Sequence, residues 1–289
     1  MLFRLENVSY RYPDGTLALD GVSLSFAKGE RIAILGPNGC GKTTLLLHLN
    51  GILRPTFGKV YFEDKPLEYT SKSLLNLRRR VGFIFQDPND QLFAPTVRQD
   101  VAFGPLNLGE PIDEVKKSVN EALRIVGMAE YADKPPHFLS LGEKKRVALA
   151  GVLAMHPEVL VMDEPTSNLD PRTASEILCL LLHLNQEYGL TLILATHDVD
   201  MVPLFANKLY VMSKGKIILE GSPREIFSNT ELIRSVNLRS PRITHLFDIL
   251  KRRDHLSIDK LPLTISEARR EILGLLNFKD MTKLNNKKR

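Results

Sequence analysis

The chain carries two kinds of apolar pattern, and together they predict an α/β fold. Residues 2–10 and 22–26 alternate between apolar and polar positions, which is typical of half-buried antiparallel strands. Uninterrupted apolar runs, typical of strands buried on both faces of a sheet, follow at 31–35, 81–85, 159–163 and 190–195. We therefore expect a mostly parallel sheet accompanied by an antiparallel β layer.

Helical periodicity occupies much of the sequence between these runs. It predicts helices over 112–126, 144–155 and 171–188, with Pro171 at a position suited to a first helical turn. Residues 87–156 are thus expected to form a helical subdomain, which either faces a partner or simply adds a packed helix layer.

Residues 1–227 are interpreted as one domain, and residues 228–289 as a small C-terminal extension with no chemistry of its own. Within the extension, short predicted helices are broken at Pro241 and Pro262. Its basic end, residues 283–289, is expected to fray.

Composition narrows the class of protein without naming a function. A chain of 289 residues with 43% hydrophobic and 25% charged residues can build one large or two unequal globular domains. Two cysteines exclude a disulfide framework and a zinc site of four thiolates. No apolar run has the length of a bilayer span and the N-terminus lacks a signal-peptide pattern, so we expect a cytoplasmic location unless something else anchors the protein.

A glycine-rich stretch between the run 31–35 and a predicted helix opening at 45–49 indicates a phosphate-binding loop. Backbone N–H groups of such a loop point at phosphate oxygens, and the helix dipole adds positive potential there. Lys42 can reach the outer phosphates and Thr43 can offer its hydroxyl to Mg²⁺. The candidate nucleotide-binding residues are Gly36, Pro37, Asn38, Gly39, Cys40, Gly41, Lys42, Thr43 and Thr44. The alternative is a glycine-rich hairpin that happens to precede a helix.

Polar residues follow the three later apolar runs. In open α/β sheets, ligands bind beyond the carboxyl ends of the strands, so we expect these side chains to meet near the phosphate loop. Asp163 is a candidate Mg²⁺ ligand, and Glu164 can polarise a water aimed at the terminal phosphate. Gln86 is a candidate ligand of Mg²⁺ or of the attacking water, and His197 a candidate phosphate contact. Taken alone, a single Gln or His is more often structural.

Three further features have a structural interpretation beside the functional one. Tyr12 follows a predicted strand and can stack on an adenine ring, although an aromatic residue beside a turn is commonly structural. Ser140 and Glu143 have the spacing of a capping box, which also creates a second anion-binding helix end. The basic segment 77–80 is interpreted as a solvated helix end rather than a nucleic-acid contact.

With these motifs in order, residues 1–225 resemble the ATP-binding subunits of ABC transporters. The resemblance lies in the phosphate loop, Gln86, the signature L-S-x-G-x at 139–143, the strand ending in Asp-Glu, the loop S-x-L-D at 167–170 and Thr-His-Asp at 196–198. It implies ATP and Mg²⁺ as cofactors and a head-to-tail dimer. It also implies specific roles: Tyr12 stacks on adenine, Gln86 senses the γ-phosphate, Glu164 is the catalytic base, Asp170 lies in a dimer-contact loop and His197 is a switch.

In that family the signature of one subunit, here Ser140 and Gly142, meets the γ-phosphate bound by the other subunit. This chain has Leu141 and Glu143 where Gly and Gln are commoner, and the added carboxylate can weaken ATP binding. Cys40 occupies a position often taken by Ser or Ala. We expect its thiol to face the nucleotide and to be protected by ATP from bulky reagents.

A finer resemblance, in residues 85–97, 100–105 and 144–155, is to the ATPases of energy-coupling-factor importers, especially those for cobalt and nickel. It implies a transmembrane coupling subunit and a substrate-binding membrane component as partners, with the chain on the cytoplasmic face of the cell membrane. A second ATPase subunit completes the dimer, either an identical copy or a paralogue.

Other functions remain to be weighed. Import of a divalent transition-metal ion is the leading hypothesis, and vitamin import through the same coupling architecture is the alternative. A soluble ABC ATPase acting on DNA or ribosomes usually carries coiled-coil insertions, zinc-binding cysteines or two tandem cassettes, none of which occurs here, so no nucleic acid is expected as a partner. A purely regulatory nucleotide-binding module is disfavoured by the presence of both Glu164 and His197.

Overall fold

The computed structural model describes residues 1–235 and 238–286. The strands, in chain order, are β1 (Phe3–Arg11), β2 (Leu17–Phe26), β3 (Arg31–Leu35), β4 (Phe57–Phe62), β5 (Lys65–Pro66), β6 (Val81–Ile84), β7 (Val159–Asp163), β8 (Thr191–Thr196), β9 (Lys208–Ser213) and β10 (Lys216–Gly221). The α-helices are α1 (Lys42–Leu49), α2 (Ser71–Arg80), α3 (Val97–Asn107), α4 (Ile112–Ile125), α5 (Leu141–Leu153), α6 (Pro171–Tyr188), α7 (Val202–Phe205), α8 (Pro223–Ser228), α9 (Thr230–Ser235), α10 (Arg242–Arg252) and α11 (Ile265–Asn286).

The strands form two sheets, which confirms the predicted fold class. The first sheet has the order β2-β1-β4-β5, and all its pairs are antiparallel. The second has the order β10-β9-β3-β8-β7-β6, in which only β10 runs antiparallel to its neighbour. The alternating segments near the N-terminus thus became the antiparallel layer, and the uninterrupted apolar runs became the parallel strands.

Strand register brings the candidate site residues to one edge. In the β3–β8 pair, Leu35 lies opposite Thr196, and in the β7–β8 pair, Asp163 lies opposite Ala195. The phosphate loop leaves β3 directly after Leu35. Since these strands are parallel and their last residues are aligned, the loops that follow them emerge side by side.

The parallel sheet is buried because both of its faces are covered. Successive residues of a strand point to opposite faces, so Val161 packs with Leu45 of α1 and the antiparallel layer. Met162 packs on the other face, with Val147 of α5 and Leu181 of α6. A strand covered in this way needs apolar residues at every position, which explains the uninterrupted run.

Several predicted boundaries require correction. Helix α1 begins at Lys42 rather than at 45, so the lysine lies in its first turn. Helix α5 begins at Leu141 rather than at 144, because the predicted capping box of Ser140 and Glu143 is present and starts the helix there. Helix α11 is 22 residues long and continues to Asn286. Fraying of 283–286 stays a prediction, and 287–289 lie outside the described residues.

The C-terminal segments pack together and against the rest of the chain. Phe247 of α10 lies in a small buried cluster with Leu261 and Ala268. Arg224 of α8 donates to the backbone oxygen of Leu261 at 2.8 Å and to the carboxylate of Glu267 at 2.5 Å. The division of the chain into two domains near residue 228 stays a prediction. Throughout the described part of the chain, no helix has both the length and the apolar character of a membrane span.

An ion-pair network joins the two sheets at the end of α2. Arg80 donates two hydrogen bonds to Glu63, at 2.5 and 2.7 Å, and its Nε donates to Glu158 at 2.5 Å. Lys28 donates to the second oxygen of Glu158 at 3.1 Å. The hydrogen bond from Arg80 is the main cause that lowers the pKa of Glu158 to about 2. The predicted solvated end of α2 is therefore also a link between the antiparallel and parallel layers.

We predict that Arg80→Met lowers the free energy of unfolding by about 1–3 kcal/mol at pH 7, because Glu63 loses a bidentate partner and Glu158 loses a charged hydrogen bond. The folded-state pKa of Glu158 lies below its ordinary 4.5. The contribution of ionised Glu158 to the free energy of unfolding is therefore complete above pH 4.5 and is lost as the pH falls toward 2. Urea titrations between pH 7 and pH 3 should show the difference from the unmodified protein shrinking. The neighbouring exposed Arg79→Met is the control, and an equal loss there would refute the role of the network.

Candidate active site

The loop between β3 and α1 has the backbone geometry of an anion cradle. Gly41 has φ 106°, and a Cβ at this position would lie 2.4 Å from the carbonyl oxygen of Ala18. Only glycine fits both constraints. Gly41 also precedes the helix without any side chain that could cap it, and the first turn of α1 contains no acidic residue. The helix N-terminus is therefore open to an external anion.

Lys42 is buried next to this loop, with a relative exposure of 6%. Its Nζ donates to the carbonyl oxygens of Gly36 at 2.9 Å and Pro37 at 3.1 Å. It also lies 3.9 Å from a carboxylate oxygen of Glu164. The lysine thus connects the predicted phosphate loop with the predicted catalytic carboxylate.

Thr43 and Asp163 form the contact expected of two ligands to one cation. The Thr43 hydroxyl donates to the Asp163 carboxylate at 2.6 Å. Both residues line a cleft of about 410 Å³ together with Gln86. Burial raises the pKa of Asp163, the bond from Thr43 opposes that rise, and the negative charge of Glu164 adds to it. A hydroxyl, a carboxylate and an amide oxygen around one cleft fit Mg²⁺, which binds hard oxygen ligands and keeps several waters.

Glu164 follows the last residue of β7 in an unusual backbone conformation. Its φ is +45°, in the left-handed region that non-glycine residues seldom adopt. The side chain is almost fully buried, and one carboxylate oxygen lies 2.8 Å from Nδ1 of His197. His197 is half-exposed, since 53% of its side chain is accessible. The structure therefore brings the two predicted catalytic residues into direct contact at the same strand edge.

Tyr12 lies beside the start of α1. Its hydroxyl is 3.0 Å from the Thr44 hydroxyl, and its ring meets that of Tyr10 edge-on with centroids 5.0 Å apart. Tyr12 is only partly buried, so an aromatic surface borders the phosphate loop. Stacking of Tyr12 on adenine stays a prediction.

The expectation for the Cys40 side chain was wrong. Cys40 is 5% exposed and packs in the core beneath the loop with Ile34 and Met212, and burial raises the pKa of its thiol. Its backbone N–H donates to the carbonyl oxygen of Pro37 at 3.3 Å. A thiol that is buried and protonated reacts slowly, so Cys40 is not the accessible pocket residue that the sequence indicated.

The predicted signature residues lie at the N-terminal end of α5, where Leu141 lines the cleft of Thr43 and Asp163. Ser140 caps α5, and its hydroxyl donates to the Glu143 carboxylate at 2.8 Å. A Cβ on Gly142 would come within 2.6 Å of the Thr173 side chain, so this glycine permits close packing of α5 on α6. Asp170 caps α6 by accepting from Thr173 and the neighbouring backbone. Neither Ser140 nor Gly142 lines the cleft of Thr43 and Asp163.

Sequence reasoning missed Lys145, which lines that cleft and is 6% exposed. Burial lowers its pKa to about 8, although the charge of Glu164 acts in the opposite direction. The sequence did indicate that Lys145 is buried, because it lies four residues from both Leu141 and Leu149 and therefore on the same helix face. A lysine among apolar positions of a helix indicates a buried amine with specific acceptors.

Comparisons with known proteins agree with this geometry. Residues 19–167 match the ABC transporter family. The energy-coupling factor transporter ATP-binding protein EcfA of Methanocaldococcus jannaschii is 56% identical over 274 residues, covering 95% of this chain and 98% of that protein.

Two solved structures extend the likeness to three dimensions. The structure of cbiO1 from Clostridium perfringens, described as part of the ABC transporter complex cbiONQ, is 50% identical with a TM-score of 0.75, and the match covers 86% of this chain and 99% of that one. A dimeric post-hydrolysis structure of the ATP-binding cassette MJ0796, bound to ADP and Pi, is 30% identical with a TM-score of 0.70, covering 77% and 99% of the two chains.

The likeness extends over nearly the whole chain, and the phosphate loop, the Asp-Glu strand end and the signature occur within or around the matched residues in the family's order. These findings confirm the resemblance drawn from the motifs. The chain belongs to the ABC transporter family, as an ATP-hydrolysing subunit of the energy-coupling factor type.

Proposed function

We propose that this ATPase powers an energy-coupling-factor importer whose substrate is a cobalt or nickel ion. The observation that carries the catalytic part is the cluster of Lys42, Thr43, Asp163, Glu164 and His197 at one edge of the parallel sheet. The substrate rests on the resemblance of residues 85–97 and 144–155 to cobalt and nickel import ATPases. The 50% identity to cbiO1, which is part of the ABC transporter complex cbiONQ, supports the transport role.

The phosphate loop and Lys42 bind the triphosphate, and Thr43, Asp163 and Gln86 would hold Mg²⁺. When bound, Mg²⁺ would neutralise negative charge on the phosphate. Glu164 accepts a proton from the attacking water, because its carboxylate is buried beside the cleft and fixed by His197. Tyr12 stacks on the adenine ring.

The site is completed by a second ATPase subunit. Ser140 is exposed at the N-terminal end of α5, and neither it nor Gly142 lines the cleft of its own chain, although Leu141 between them does. This helix end is expected to meet a nucleotide bound by a partner. The relative MJ0796 forms a dimer. Asp170, at the start of α6, lies in the loop that contacts the second subunit. Hydrogen bonds from Ser140 keep the pKa of Glu143 below its ordinary value, so this signature places a negative charge near the incoming phosphate.

An apolar groove provides a docking surface for the transmembrane coupling subunit. It has a volume of about 500 Å³ and is bordered by Phe83, Phe93, Phe103 and Met155. Phe93 and Phe103 are 65% and 48% exposed, although they are large apolar side chains. Exposed aromatic clusters of this kind mark interaction sites. A subunit bound here by a membrane protein lies at the cytoplasmic face of the membrane.

The groove is connected to the catalytic cleft. Phe85 lines both, and Gln86 follows it directly. Gln91 fixes this segment, because its side chain accepts from the Phe85 backbone at 3.3 Å and donates to the Ala148 backbone oxygen of α5 at 3.2 Å. We expect this segment to transmit movement of a coupling-subunit helix in the groove to Gln86 in the cleft.

We predict that Glu164→Gln lowers ATP hydrolysis by about 10²–10⁴-fold, the usual effect of removing a general base. ATP affinity should be retained, because the phosphate loop is unchanged. Steady-state hydrolysis and equilibrium nucleotide binding measure the two quantities separately. Glu187→Gln, an exposed position of α6, is the matched control. Turnover within a few-fold of the unmodified protein would exclude Glu164 as the base.

Phe93→Asp should abolish co-purification with the membrane subunits, since it places a charge in the apolar groove. Hydrolysis by the ATPase alone should remain within about twofold, because Phe93 does not line the cleft. Phe57→Asp, at an equally exposed phenylalanine outside the groove, should co-purify normally. Undiminished co-purification of the Phe93 variant would refute the docking surface.

The substrate is tested by uptake in cells that depend on this transporter. Cells expressing the ATPase with its membrane components should accumulate radioactive cobalt or nickel, and cells with Glu164→Gln should not. If labelled vitamins accumulate instead, the catalytic proposal stands and the metal assignment fails.

A further inference from the structure

Lys145 connects the signature helix to the loop that carries Glu164. Its Nζ donates to the backbone oxygen of Glu164 at 3.2 Å, and to the backbone oxygen and hydroxyl of Ser167 at 2.9 and 3.2 Å. All three acceptors lie in the loop between β7 and α6. The lysine itself belongs to α5, five residues after the cap Ser140.

The loop needs external support because its backbone is strained. Glu164 and Asn168 have φ of +45° and +61°, a conformation that non-glycine residues keep only where the surroundings hold it. The Glu164 backbone N–H donates to Ala195 at 3.0 Å. Its carbonyl oxygen accepts from the Ser167 hydroxyl at 2.8 Å and the Ser167 N–H at 3.1 Å, besides Lys145. Of the three donors to this carbonyl oxygen, Lys145 is the one that belongs to α5.

Packing alone does not account for a lysine at this position. The side chain is 6% exposed, and a buried ammonium group loses most of its hydration. The Glu164 and Asp87 carboxylates raise the pKa of this amine, but burial, which lowers the pKa, has the larger effect. An apolar side chain such as methionine would fill the same volume without this desolvation cost. The lysine is therefore better explained by its three hydrogen bonds than by its contribution to the core.

We propose that Lys145 is a positioning residue that holds the Glu164 backbone in the conformation which presents its carboxylate to His197 and the phosphate cleft. The proposal rests on the assignment of Glu164 as the general base. Because α5 rises about 1.5 Å per residue, Lys145 lies about 7.5 Å along the helix from Ser140. A nucleotide bound by the partner subunit would therefore contact Ser140 at the start of α5. Through Lys145, the same helix is hydrogen-bonded to the loop that carries Glu164 in the chain of Ser140.

The decisive test compares Lys145→Met with Lys145→Arg in the full-length ATPase. Methionine should lower kcat by about 10- to 100-fold, because a small displacement of a catalytic group has effects of this size. KM for ATP should stay within about twofold, since Lys145 does not belong to the phosphate loop. Arginine retains the donors and should recover most of kcat. The thermal midpoint of the methionine variant should be unchanged or higher, whereas a purely structural lysine would lower it on removal.

Lys144→Met is the matched control, because the adjacent lysine donates to the exposed Asn89 side chain and not to the catalytic loop. It should leave kcat within about twofold. If Lys145→Met does not fold, Lys145→Gln is judged by the same criteria.

The outcomes separate this inference from the proposed function. Unchanged kcat in Lys145→Met, or equal losses in the Lys144 control, would overturn the positioning role while Glu164→Gln remains inactive. Activity of Glu164→Gln near that of the unmodified protein would instead overturn the assignment of the base, and the role of Lys145 with it.

Discussion

Parallel pairing of β3, β8 and β7 is the constraint on which the catalytic arrangement depends. Their aligned carboxyl ends place the phosphate loop, Glu164 and His197 in adjacent loops of one sheet edge. A slip of one residue would turn every side chain of a strand to the opposite face. Because both faces of these strands are packed against other elements, such a slip would exchange the side chains fitted to one face with those fitted to the other and disrupt the packing on both. Register, and with it the geometry of the site, is therefore specified by the core.

The site concentrates charge where water is largely excluded. Lys42, Asp163, Glu164 and Lys145 are all buried, and each has a polar partner within the site. Burying charges costs free energy that such partners only partly offset. The rigid sheet beneath makes this arrangement possible, because it holds the partners at fixed positions. The same low exposure strengthens the electrostatic effect of these groups on a bound phosphate.

Much of the fold and part of the site were predictable from local signals. The phosphate loop, the strand ends and the capping box are encoded by residues that are neighbours in sequence. The inward orientation of Cys40, the role of Lys145 and the apolar groove depend on residues far apart in the chain, such as Lys145 and Ser167, which are 22 positions apart. The spacing of residues in one segment does not reveal which side chain another segment covers. The length of helix α11, 22 residues, was also not predicted, since the sequence indicated only short helical segments in the extension.

The central claim is that hydrolysis needs the phosphate loop and Glu164 of one chain together with Ser140 of another. Mixing two inactive variants, Glu164→Gln and Ser140→Arg, tests it most directly. With random pairing, about half of the dimers are mixed and each contains one intact site, so ATPase activity should recover to about one quarter of the unmodified level. Full activity of Ser140→Arg alone, or no recovery in the mixture, would contradict a site shared between two chains.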